Sequence, residues 1–139
     1  MEKAGLREAL QFLESTEPGH PAAKAIREKN TTVRFGPTEG AIARYYPDIN
    51  EIRIHESLKK ASPKVLAAHL AHEGTHVLWD RPNSIEQEYH AFKAQAEVWD
   101  KIKGRETDSQ CDWVSWMIAQ GEEEAKLLIK ALYKGLPDY

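Results

Sequence analysis

Two histidines four residues apart, His72 and His76, with Glu73 directly after the first, are the residues in this chain best suited to chemistry. On an α-helix, positions four apart project from one face about one turn apart, so the two imidazoles can share one metal ion. Glu73 is rotated from them by about 100° and can reach a water on that ion without being a ligand. Such a set suits metal-assisted hydrolysis, in which a carboxylate takes a proton from an activated water. The competing reading is a helix whose two histidines are satisfied by hydrogen bonds within the core.

A catalytic zinc uses three protein ligands and keeps one position open. The metzincin spacing would need a glycine and a histidine where this chain has Trp79 and Pro82, so it is excluded. A second helix, opening at Ser84, offers Glu86, Glu88, His90 and Glu97. Its period puts Glu88 on a stripe with Ala91, Phe92, Gln95, Trp99 and Ile102, largely apolar and therefore inward. Glu86, His90, Lys93 and Glu97 fall on a polar, solvated stripe. A carboxylate on an inward face is costly unless paired or metal-bound, which makes Glu88 the expected third ligand and Glu86 the alternative. A buried ion-pair role for Glu88 is the competing reading.

The elements that must position these residues follow from periodicity and punctuation. Ala4, Leu6, Ala9, Leu10 and Leu13 recur at helical spacing from about Lys3 to Glu14, and Pro18-Gly19-His20-Pro21 ends that helix. A short helix with Pro21 in its first turn closes near Asn30. Thr31 to Phe35 reads as a strand, and Ala41 to Tyr46 with Glu51 to His55 as a hairpin turning at Pro47 to Asn50. Ser62-Pro63 opens the histidine-bearing helix, whose stripe of Val65, Leu66, Leu70 and Val77 runs to about Trp79. Ser84 and Gln87 have capping-box spacing, and the next helix runs to Lys103 before Gly104. Two more helices are expected, Ser109 to Gln120 and Glu122 to Tyr133. The fold expected is α+β: a small antiparallel or mixed sheet of about three strands on the metal-bearing helix pair, with helices before and after, in one domain.

Leu70-Ala71-His72-Glu73-Gly74-Thr75-His76, Glu88-Tyr89-His90-Ala91-Phe92 and the hairpin segment Gly40 to Tyr46 resemble the gluzincin-type zinc metallopeptidases, especially small single-domain members and regulatory peptidases of mobile elements. The resemblance covers about Val33 to Lys103. It implies a zincin-like fold and a peptidase with one Zn2+ per chain on His72, His76 and Glu88, Glu73 as general base, and a peptide or protein substrate. It also implies that Ala41, Ile42, Ala43, Arg44 and Tyr45 bind an extended substrate along a sheet edge. A second donor to the oxyanion is needed, and Tyr45, His55, Tyr89, His90 and Tyr133 are the candidates. The rival readings are a non-catalytic zinc-binding or protein-interaction module and a zinc hydrolase of a non-peptide amide.

The rest of the chain narrows the class. With 19 Lys and Arg against 22 Asp and Glu, the net charge is -3, so no general attraction to nucleic acid or anionic membrane is expected. No window is long and apolar enough to span a bilayer, and the start lacks a signal-type apolar stretch, so the expected compartment is the cytoplasm. A single cysteine, Cys111, cannot form an internal disulfide and reads as a small core or boundary residue. His69, one turn before His72, reads as a partly buried polar residue with a supporting or alternative ligand role open. Trp113, Trp116 and Met117 share a helical face assigned to the core, and the last helices are expected to dock on the back of the helix pair and leave the cleft free.

Overall fold

The computed structural model describes residues 4–139, so the expected helix start at Lys3 lies outside the described residues. Among the described residues, six α-helices and three strands follow one another: α1 (Ala4–Glu14), α2 (His20–Glu28), β1 (Thr32–Phe35), β2 (Ala43–Tyr46), β3 (Glu51–Ile54), α3 (Pro63–Trp79), α4 (Ile85–Ile102), α5 (Ser109–Ala119) and α6 (Glu122–Leu132). This is an α+β arrangement around α3, in which every residue from Val65 to Thr75 is buried.

The sheet is mixed, with order β1-β3-β2: β1 runs parallel to β3, and β2 antiparallel to it through the hairpin. β2 is therefore an edge strand. His55 N–H donates to the Ile42 carbonyl, and the register pairs Ala43 with Ile54. By the alternation of an antiparallel ladder, Arg44 and Tyr46 turn their backbone groups to β3 while those of Ala43 and Tyr45 face away from the sheet.

One core lies between α1, α2, the sheet and α3, built from residues such as Leu6, Leu13, Ile26, Ile52, Leu70 and Val77. A second, with Phe92, Val114, Met117 and Ile129, joins α4 to α5 and α6. Two glycines set close approaches. A Cβ at Gly19 would sit 2.2 Å from the Leu13 carbonyl oxygen, so only glycine allows the tight turn between α1 and α2. At Gly74 it would lie 2.7 Å from Ala22 Cβ, because α2 crosses α3 at the glycine between the paired histidines.

Caps fix the ends of the two central helices. Ser62 Oγ accepts from Val65 N–H, and Ser84 Oγ accepts from Gln87 N–H. The capping box at Ser84 is only half formed, since Ser84 N–H donates to Asn83 Oδ1 and the Gln87 side chain points elsewhere. The first turn of α4 is completed by the chain's last residues: Ile85 N–H donates to the Pro137 carbonyl and Glu86 N–H to that of Asp138. The last helices pack on α4, yet Tyr133 and Leu136 reach the cleft, so their placement only partly matches the expected docking on the back. Trp116 is a second departure: it is 52% exposed, while Met117 is fully buried and Trp113 half-buried. Among the described residues no helix is long and apolar enough to cross a membrane.

Candidate metal centre

His72 and His76 project from the buried face of α3 toward Glu88 in the first turn of α4. His72 Nε2 lies 3.1 Å from Glu88 Oε1, and His76 Nε2 lies 3.3 Å from Glu88 Oε2. Four ligands arranged tetrahedrally about 2.1 Å from a zinc ion are separated by about 3.4 Å, so these donors already stand at coordination spacing. Glu73 is buried beside them, with Oε2 3.9 Å from His72 Nε2, and one donor atom each from His72, Glu73 and His76 lie within 4.8 Å of one another.

The same distances would suit hydrogen bonds, and the protons decide between the readings. His72 Nδ1 is 3.1 Å from Gln95 Oε1, and His76 Nδ1 is 2.6 Å from Gln87 Oε1. The orientation of Gln87 is fixed, because its Nε2 faces the carbonyl oxygens of Arg81 and Pro82 at 3.3 and 3.4 Å. Its Oε1 therefore accepts, and His76 Nδ1 carries the hydrogen. Gln95 directs its Nε2 to Cys111 Sγ and so offers Oε1 to His72. With Nδ1 protonated, a neutral imidazole presents a lone pair at Nε2. Here both lone pairs confront a carboxylate, which is repulsive unless a cation, either protons or a metal ion, lies between them.

The electrostatics agree. Burial opposes charge on His76, but Glu88, reinforced by Glu73 and Gln87, outweighs it and pushes the imidazole pKa up to about 9. Burial likewise works against the Glu88 carboxylate, yet the hydrogen bonds and proximity of His72 and His76 hold it well below the usual range. Asn83 Nδ2 donates to Glu88 Oε2 at 2.7 Å and fixes its second oxygen. Phe92 packs edge-on against the His72 ring, 4.5 Å between centroids. Two neutral imidazoles and the Glu88 and Glu73 carboxylates together would neutralise a dication in this buried place. The donor set fits a divalent metal ion.

Glu86 does not join the centre. It bonds Lys126 and, at 3.1 Å, His90, and His90 stacks near Trp79 with ring centroids 5.2 Å apart. Beside the centre opens a cleft of about 620 Å³, walled by Ala41, Ala43, Arg44 and Tyr45 on one side and by Tyr133 and Leu136 on another. Ile42 does not line it; its carbonyl is engaged by His55 N–H. Of the five oxyanion candidates, only Tyr45 and Tyr133 reach the cleft. His55 instead bonds Ser57, and Tyr89 is buried in the second core. Burial, with the nearby Glu88 and Glu73 charges, raises the Tyr133 pKa and keeps its hydroxyl a donor.

No protein-family model, curated protein or solved structure matches this chain.

Gln87 and Gln95 are the site residues that motif reasoning does not single out. Gln95 left a signal, as a polar amide on the inward stripe of α4. Gln87 left none, because its place three after Ser84 assigns it to a cap. A second group of metal-type donors, His69, Asp108 and Cys111, lies nearby on the other side of Gln95. Burial and the proximity of His72 push the His69 pKa down to about 4 despite Asp108, and burial raises that of the Cys111 thiol.

Proposed function

We propose that the protein is a zinc-dependent peptidase of zincin-like fold, with His72, His76 and Glu88 as metal ligands and Glu73 as general base. The observation that carries the reading is the pair of Nε2 lone pairs turned on one buried carboxylate, with a second carboxylate beside them and an open cleft in front. A purely structural zinc site would need no base and would close its fourth position.

When bound, zinc supplies the Lewis acidity that makes water acidic near neutral pH and polarises a carbonyl. Glu73 takes the proton of the attacking water and delivers it to the leaving amine. Tyr133, kept protonated, donates to the oxyanion that develops on the scissile carbonyl. The outward backbone groups of Ala43 and Tyr45 add an extended peptide to the sheet edge and hold it along the cleft. Arg44 reaches the same cleft with its charge.

Glu73→Gln keeps the side chain's size and removes the base. Zinc-loaded wild type should cleave members of a peptide library, and the variant should keep its zinc while losing hydrolysis by about 10²–10⁴-fold. Equal cleavage by the two, or no cleavage by zinc-loaded wild type, sinks the peptidase reading.

A further inference from the structure

His69 lies one turn before His72 on α3 and is 5% exposed, yet among the described residues neither of its ring nitrogens has a hydrogen-bond partner. Its ring stands beside two metal-type ligands: one donor atom each from His69, Asp108 and Cys111 lie within 4.8 Å of one another. We propose that these three residues form a second metal site, which holds one zinc-type divalent cation between α3 and the start of α5.

The chemistry of the donors fits a cation. Asp108 caps α5 with Oδ2, which accepts Cys111 N–H at 2.9 Å, and its carboxylate also stands beside the Cys111 thiol. Gln95 Nε2 points at Cys111 Sγ, 3.9 Å away, a donor facing the sulfur, while burial and Asp108 keep the metal-free group a thiol that a zinc-type ion would have to deprotonate. One thiolate, one carboxylate and one neutral imidazole carry two negative charges and balance a dication, which removes the cost of burying either charge alone. Sulfur with nitrogen selects zinc over magnesium or calcium. Tetrahedral zinc separates such ligands by about 3.3–3.8 Å, so closing the site asks for side-chain movements of about 1 Å. Bound there, the ion would fasten α5 to α3 and hold Gln95, whose Oε1 faces His72 Nδ1.

Cobalt(II) tests this without assuming any activity, because only a sulfur ligand gives an intense thiolate-to-cobalt charge-transfer band in the near ultraviolet. Cys111 is the one cysteine of the chain, so the band reports this site alone. Titration of metal-free wild type should give two cobalt ions per chain and a charge-transfer band that saturates with one of them. Cys111→Ser and His69→Ala should each abolish or strongly weaken the band and lower the count to one. His76→Ala should keep the band, which separates this site from the first even if the peptidase reading fails. The proposal is overturned by wild type that binds cobalt without the band, by a band that survives His69→Ala at full strength, or by a band that appears only with dimerisation of the chain.

Discussion

His72 and His69 sit one turn apart on the same helix but in opposite states of support. His72 has Gln95 at Nδ1, Glu88 at Nε2 and Phe92 against its ring. His69 is just as buried and has no hydrogen bond among the described residues. The first centre opens on a cleft and is pre-aligned by Gln87, Gln95 and Asn83; the second, with Asp108 half-buried, has its donors near but not yet gathered. Pre-alignment is what a reacting site needs, since ligands held by neighbours keep one geometry while substrate comes and goes. A cluster away from the cleft can let the ion itself bring the ligands together, as structural sites do.

The comparison breaks most sharply at the ligands. Glu88→Ala and His76→Ala should each weaken zinc binding at the first centre by on the order of a thousandfold, read by competition with a chromophoric chelator. Glu86→Ala should leave that affinity unchanged, since Glu86 is tied to Lys126 and His90. A loss with Glu86→Ala and none with Glu88→Ala would reverse the assignment.

A smaller effect sharpens the contrast in support. Gln87→Leu and Gln95→Leu remove the acceptors at Nδ1 and should each weaken zinc binding by about 10–100-fold while the ligands stay in place. Unchanged affinity in both would show that pre-alignment contributes nothing.

Acidity gives a change of sign. In the metal-free protein His76 has a raised pKa, so its stabilising charge is fully present below the unfolded value near 6.5 and is lost as pH rises through about 9. Glu88, held low, contributes above the ordinary carboxylate range and loses that contribution only in acid. The thermal midpoint of metal-free protein should therefore fall between about pH 6.5 and 9. With zinc present, protons compete with the metal for the same nitrogens, so the shift produced by zinc should grow over that range. Parallel curves with and without zinc would mean that the ion binds elsewhere.

The smallest effect concerns the crossing of α2 over α3. Gly74→Ala brings a methyl within 2.7 Å of Ala22 Cβ and should cost about 1–3 kcal/mol in denaturant unfolding as α2 gives way. No loss would show that the helix pair has slack at the centre of the histidine motif.

Much of this was legible in the residues. Spacing alone places His72, Glu73 and His76 on one helix, and Ser62 and Ser84 mark where α3 and α4 begin. The inward stripe of α4 explains why Glu88 faces the histidines and Glu86 does not. Three features escaped because they depend on distant parts of the chain. The strand order β1-β3-β2 leaves β2 at the edge beside the cleft, and local pattern carries no information about which strand pairs with β1. Pro137 and Asp138 cap α4 from more than forty residues away. Gln87 serves His76 across the turn between helices, where its spacing from Ser84 suggests only a cap. Trp116 was misplaced because helical periodicity names a face but not whether a neighbour covers it.

Diffraction from crystals of the zinc-loaded protein, recorded on both sides of the zinc absorption edge, tests the central claim most directly. An anomalous peak bounded by His72 Nε2, His76 Nε2 and the Glu88 carboxylate, with Glu73 outside bonding distance, is the predicted result. No peak at that position, or a peak at Glu86 and His90 in its place, would contradict the account.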